Sequence, residues 1–82
     1  MTRDDIYAKL AGYLEDMFEV PADKISLEAK LFEELDLDSI DAVDLVVKLQ
    51  ELTGRKIKPE QFKMVRTVGD VVDQVHALLA SE

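Results

Sequence analysis

Apolar residues return at three- and four-residue spacing in three separate stretches of this chain, and that period commits most of it to helix. In the first stretch Ile6, Leu10, Leu14 and Met17 recur, with Tyr13 and Phe18 beside them. The pattern predicts helix I over about Arg3 to Phe18. Thr2 and Asp5 have the spacing of a capping box, and Pro21 is the expected stop. In the second stretch Ile40, Ala42, Val43, Leu45, Val46, Val47, Leu49 and Leu52 cover a broad arc at 100° per residue. Asp41, Asp44, Lys48 and Glu51 fill the narrow stripe left over, and Gln50 falls inside the apolar arc. Helix II is expected from Ser39 to Leu52 or Thr53, with Asp38 as N-cap and Gly54 at the C-cap. Ile40 and Val47 lie at the edge of its arc, beside the carboxylates, where partial exposure is expected. In the third stretch Val68, Val71, Val72, Val75 and Leu79 form one stripe of helix IV, capped by Thr67 with Asp70. Pro59 suits the first turn of a short helix III, Pro59 to Val65.

A long connection joins helices I and II, from Glu19 to about Asp38. Ile25, Leu27, Leu31, Phe32, Leu35 and Leu37 are its expected anchors to the core. The span Ser26 to Glu34 is also compatible with one more short helix. Long ordered connections in small domains are frequent functional places. No strand pattern competes with the helices. The expected fold is therefore all-α: a small four-helix bundle, three longer helices plus a short third, with a long loop between helices I and II. Its 82 residues predict one domain, 1–82. There is no cysteine, which excludes disulfides and thiolate metal sites and leaves stability to well-packed helices.

Charge narrows the function classes. The net charge is −8. The first 38 residues hold 11 acids and 4 bases, the remaining 44 hold 7 and 6, so the acidity sits before and around Ser39. Such a surface argues against nucleic acid and for partners with basic surfaces. The stretch from Arg55 to Arg66 runs the other way, with five bases against Glu60. The polar start shows no signal peptide, and no apolar run approaches the ~18 residues of a membrane span, so a cytoplasmic protein without a membrane span is expected.

The most acidic stretch, LFEELDLDSIDAVDLVVKLQ, holds one serine. Ser39 lies among Glu33, Glu34, Asp36, Asp38, Asp41 and Asp44, with no Lys or Arg between Glu33 and Asp44. Nothing in the neighbouring sequence offers this hydroxyl a base. The single histidine, His76, is far along the chain, and no residue is assigned a catalytic role. The acids do not take calcium-loop spacing: the twelfth residue from Asp36 is Val47, and no central glycine is present, so no metal site is expected. Asp38 and Ser39 alone read as a plain helix start. Acid-directed phosphorylation of Ser39 is disfavoured, because Ala42 rather than an acid follows three residues on.

The longer pattern says more. LDLDSIDAVDLVVKLQ resembles the serine motif of acyl carrier proteins, D-S-[LI], at the start of an acidic second helix. The resemblance extends over nearly the whole chain, from the helix I pattern through the anchored loop to TVGDVVD at the start of the fourth helix. It implies that Ser39, with Asp38 before it, is the attachment point for a covalent 4′-phosphopantetheine taken from coenzyme A. It implies a non-catalytic carrier that holds acyl intermediates as thioesters. Ile40, Asp41, Asp44, Val47 and Glu51 would then form the face met by partner enzymes. The implied partners are a phosphopantetheinyl transferase, ketosynthase, ketoreductase, dehydratase and acyl-loading enzymes of fatty-acid or polyketide-type synthesis, visited by a monomer. Val43, Val46, Val47, Val68, Val72 and Val75 are candidates to line a space for the acyl chain.

The chain also departs from the housekeeping pattern. Lys48 and Gln50 dilute the acidic second helix, and GRKIKPEQFKMVR makes the following region basic. The stretch LDSIDAVDLVVKLQELTGRKIKPEQFKMVRTVGDVVD looks most like discrete carriers of aryl-polyene biosynthesis. Peptidyl carriers more often place Gly-Gly-His or Gly-Gly-Asp before the serine, where this chain has Asp36-Leu37-Asp38. The alternative of a different class is an unmodified acidic helical module that docks a basic partner through helix II.

Overall fold

The computed structural model describes residues 2–58, 60 and 64–80. Among them are three α-helices: α1 (Arg3–Phe18), α2 (Ser39–Thr53) and α3 (Val68–Ala80). The short helix expected over Pro59 to Val65 falls largely on positions 59 and 61–63, outside the described residues. No strand occurs among the described residues, only an isolated antiparallel bridge between Lys30 and Thr67. The fold is a small all-α bundle.

Each helix starts where a side chain takes up its free N–H groups. At α1, Thr2 Oγ1 accepts from the Asp5 N–H at 3.1 Å, and Asp5 Oδ2 accepts from the Thr2 N–H at 3.2 Å. Asp therefore completes the capping box despite being a methylene shorter than Glu. At α3, Thr67 Oγ1 and Asp70 Oδ2 repeat the arrangement, with the Arg66 N–H as a third donor, to Asp70 Oδ2. The C-terminal end of α1 differs from expectation. Glu19 closes it in the left-handed region at φ 55°, and the Val20 N–H folds back to the Leu14 carbonyl at 3.2 Å. Pro21 only follows this turn.

Ile6, Leu10 and Leu14 of α1 are fully buried and face Val68, Val71, Val72 and Val75 of α3 and Leu45, Val46 and Leu49 of α2 across one core. α1 packs chiefly on α3. Four of the six expected loop anchors, Ile25, Leu31, Leu35 and Leu37, join that core, together with Ala29. Leu27 and Phe32 do not; both are more than two-fifths exposed.

The loop forms one 3₁₀ turn at Ala22–Lys24 and then turns, but no α-helix over Ser26 to Glu34. The reason lies in where its carbonyls point. The Leu27 carbonyl accepts from Gly69 N at 2.8 Å, and the Ala29 carbonyl accepts from Val68 N at 3.0 Å. The Leu31 N–H donates to the Arg66 carbonyl at 2.8 Å. The loop thus spends its backbone groups on the first turn of α3, whose leading N–H groups have no partner inside their own helix. Tyr7 Oη adds a tie from α1, donating to the Ile25 carbonyl at 3.1 Å.

Candidate functional site

The approach to Ser39 alternates. Leu35 and Leu37 are buried, whereas Asp36, Asp38 and Ser39 are exposed. Leu37 is held from both sides: its side chain sits in the core and its N–H donates to the Leu31 carbonyl at 3.1 Å. Asp36 sits at φ 57°, a left-handed conformation that aspartate tolerates better than most residues. This bend takes the chain from the anchored loop into α2.

Asp38 caps α2. Its Oδ1 accepts from the Asp41 N–H at 2.8 Å, and Asp41 Oδ2 accepts from the Asp38 N–H at 3.3 Å. Ser39 is the first helical residue after this cap, so its backbone is fixed by the helix while its side chain faces solvent. The Ser39 hydroxyl enters no hydrogen bond among the described residues. It is a free primary hydroxyl on a rigid mount, suited to covalent modification by an enzyme that brings its own base. A cleft of about 480 Å³ lies beside this approach, with Asp16, Glu19, Glu34, Asp36 and Asp41 among its lining residues.

The outer surface of α2 carries more apolar area than its period suggests. Ile40 is 71 % exposed, as expected for an arc edge, and Val47 is 47 % exposed. Val43, read from sequence as part of the buried arc, is 46 % exposed. These three stand at i, i+3 and i+7, which puts them on one stripe. Asp44 and Glu51 are exposed on the same side, and Asp41 is half-buried with its carboxylate engaged in the cap. Glu51 also accepts an exposed ion pair from Lys48 at 3.5 Å. Of the valines considered as lining for an acyl chain, Val46, Val68, Val72 and Val75 are core residues, while Val43 and Val47 lie on the surface.

Sequence reasoning missed Val43, although its spacing to Ile40 and Val47 was the available signal. It also missed the work of Gln50. The Gln50 Oε1 accepts from the Ile57 N–H at 2.8 Å and so fastens the segment after α2 to the helix. A polar residue inside an apolar arc was the clue.

Comparison with known proteins decides the family. The family described as a phosphopantetheine attachment site matches residues 8–75. Acyl carrier protein 2 of Ralstonia nicotianae is 56 % identical over 81 residues, covering 99 % of this chain and 100 % of that protein. The chain belongs to the acyl carrier protein family. Its fold agrees: the crystal structure of the acyl carrier protein from Thermotoga maritima superposes with a TM-score of 0.81 at 28 % identity, covering 95 % of this chain and 91 % of that one. The acyl carrier protein of Enterococcus faecalis gives 0.77 at 27 % identity over the full length of both chains. The prosthetic group of such a carrier is covalently attached 4′-phosphopantetheine. These findings support the carrier reading and not that of an unmodified acidic interaction module. A carrier implies biosynthetic enzymes as partners and a phosphopantetheinyl transferase to modify it. No helix among the described residues is long and apolar enough to cross a membrane.

Proposed function

We propose that Ser39 is the residue that receives the 4′-phosphopantetheine, and that the chain is a non-catalytic carrier acting within 1–82 as one domain. The observation that carries this is the exposed, unbonded hydroxyl of Ser39 on the first turn of α2, inside the matched segment. When attached, the arm supplies a terminal thiol that holds acyl groups as thioesters. The protein's own residues do the positioning. Asp38 and Asp41 lock the helix start, and Leu35 and Leu37 anchor the approach, so Ser39 is presented at a fixed, exposed point. The free N–H groups of the first turn of α2 favour an anion there, although the surrounding carboxylates oppose it.

Ile40, Val43 and Val47, flanked by Asp44 and Glu51, form the face on which partner enzymes dock, with Asp41 at its edge. Carboxylates speed encounter with basic enzyme surfaces, and the exposed apolar stripe supplies contact on arrival. The partners are the transferase and then ketosynthase, ketoreductase, dehydratase and acyl-loading enzymes, met by a monomer in the cytoplasm. A specialised pathway of aryl-polyene type, rather than general fatty-acid synthesis, is favoured by the sequence resemblance and by the basic stretch after α2. The related meromycolate extension acyl carrier protein of Mycobacterium leprae, 32 % identical over 95 % of this chain and 68 % of that protein, carries a specialised role in its name.

Intact mass tests the assignment. Incubation with coenzyme A, magnesium ion and a promiscuous transferase should add one phosphopantetheinyl group to the wild type and none to Ser39→Ala. A gain retained in Ser39→Ala would place the attachment elsewhere.

A further inference from the structure

We propose that the cleft between the end of α1 and the approach to Ser39 is a resting site for the uncharged part of the phosphopantetheine arm. The proposal rests on the carrier reading above and gives the attached group a place on this chain's own surface.

The cleft lies against the attachment point. Leu37 and Asp41 both line it, and each stands two residues from Ser39. Two residues span at most ~7 Å of chain, a fraction of the arm's length, so the arm reaches the cleft by folding back on its tether. A second groove, lined by Lys30, Phe32, Glu33, Val65 and Arg66, comes no nearer to Ser39 along the chain than Glu33. The cleft holds about 480 Å³, within the ~300–1,000 Å³ usual for small-molecule sites. Part of its lining is apolar: Val20, Leu35 and Leu37 are buried, and Met17 and Phe18 are half-buried beside them. The polar part is uncommitted. Among the described residues, Asp16, Glu19, Lys24, Glu34 and Asp36 are exposed, and their side chains enter no ion pair or hydrogen bond.

That lining fits the arm beyond its phosphate. This part is uncharged and is made of amides, a hydroxyl, short methylene runs and a carbon bearing methyl groups. Its N–H and O–H groups donate to the free carboxylates, and its carbonyls accept from Lys24. Its methyl and methylene groups cover Met17, Phe18 and Leu35. The phosphodiester stays at Ser39, on the free N–H groups of the first turn of α2, so only the uncharged part enters among the carboxylates. Weak contacts suffice, because the tether makes the binding intramolecular. A short flexible tether gives an effective concentration in the mM range, so a site with a Kd of about 1 mM for the free arm is at least half filled. None of Ile40, Val43 and Val47 lines the cleft, so an arm lying there leaves the α2 stripe open to enzymes.

The test uses the modified chain. It has no cysteine, so the thiol of the arm takes a nitroxide label at one place only. The amide signals of Phe18, Glu19 and Val20 should broaden at least about twofold more than those of Val43 and Val47, as an arm held in the cleft for half the time or more requires. Met17→Trp, which fills the cleft, should reduce that broadening by about half or more, with Val43 and Val47 broadened no less than before. A second comparison needs neither the label nor a cleft variant: modified wild type, with its thiol free, should differ from Ser39→Ala in the amide shifts of Phe18, Glu19 and Val20. Should Met17→Trp lose its fold by circular dichroism, this unlabelled comparison decides. Shift differences confined to the residues adjoining Ser39 overturn the proposal. So does broadening that is equal on the two sides and untouched by Met17→Trp. Shift differences at Lys30, Phe32 and Arg66 instead would place the arm in the second groove and overturn it as well. Failure of the wild type to gain mass would overturn the carrier reading, and is seen before any label is attached.

Discussion

Gln50 shows how one polar atom can fix a segment. Its Oε1 is the partner of the Ile57 N–H, and Ile57 is itself buried. Gln50→Leu would suit the apolar arc but leave that N–H unpaired, which costs about 1–3 kcal/mol. Urea unfolding should show a lower midpoint with an unchanged m-value. Gly69 makes a similar case on α3. A Cβ there would stand 3.0 Å from the Leu27 carbonyl oxygen, the same atom that accepts from the Gly69 N–H. Gly69→Ala should weaken this bond and cost about 1 kcal/mol, with faster hydrogen exchange at the amide of residue 69. Glu19 holds positive φ without being glycine, asparagine or aspartate, so no residue type in the sequence marked that bend, whereas Asp36 is of a type that tolerates the left-handed region.

At the scale of elements, the caps carry the pH dependence. Hydrogen bonds from the Arg66 and Thr67 backbone N–H groups hold the Asp70 carboxyl below the usual aspartate range. Asp5 is lowered in the same way, first by the Thr2 backbone N–H. A carboxyl with a lowered folded value binds fewer protons folded than unfolded. Its stabilisation is complete above the ordinary aspartate value and is lost as pH falls through the lowered one. Melting temperature should therefore be flat near neutrality and fall below about pH 4. Asp70→Asn, which still accepts but does not ionise, should flatten part of that fall. The cap of α2 constrains a different experiment. Asp41 is half of the reciprocal pair with Asp38, so reversing its charge disturbs the helix start as well as the surface. Asp44 and Glu51 are the cleaner probes of docking.

For the whole molecule, attachment and folding should separate. Ser39→Ala alters an exposed side chain and should change unfolding free energy by no more than about 0.5 kcal/mol. Circular dichroism melts should overlay while phosphopantetheinylation is abolished. Reversing Asp44 and Glu51 to Lys should slow modification through the association rate, by about tenfold at low salt and less as salt screens it. Stopped-flow or initial-rate measurement across ionic strength distinguishes this from a loss of turnover. An unchanged rate at low salt would make those carboxylates solvated bystanders.

The sequence by itself determined the three longer helices, their starts and the position of Ser39. Capping boxes and helical period act over three or four residues, so Thr2–Asp5, Asp38–Asp41 and Thr67–Asp70 could be read from spacing alone. The serine motif was equally local. Tertiary structure decided which part of a broad apolar arc is covered. Val43 lies within the arc by period, yet the neighbouring helices bury only Leu45, Val46 and Leu49 completely, and Val43 is left outside with Ile40 and Val47. It decided also that the Ser26 to Glu34 stretch stays non-helical, because the start of α3 claims the carbonyls of Leu27 and Ala29. Leu27 and Phe32 remain exposed, and Gln50 turns toward Ile57, through contacts between residues set by packing rather than helical period. Burial of a given apolar residue depends on the width of the surface opposite it, and that surface is supplied by distant parts of the chain.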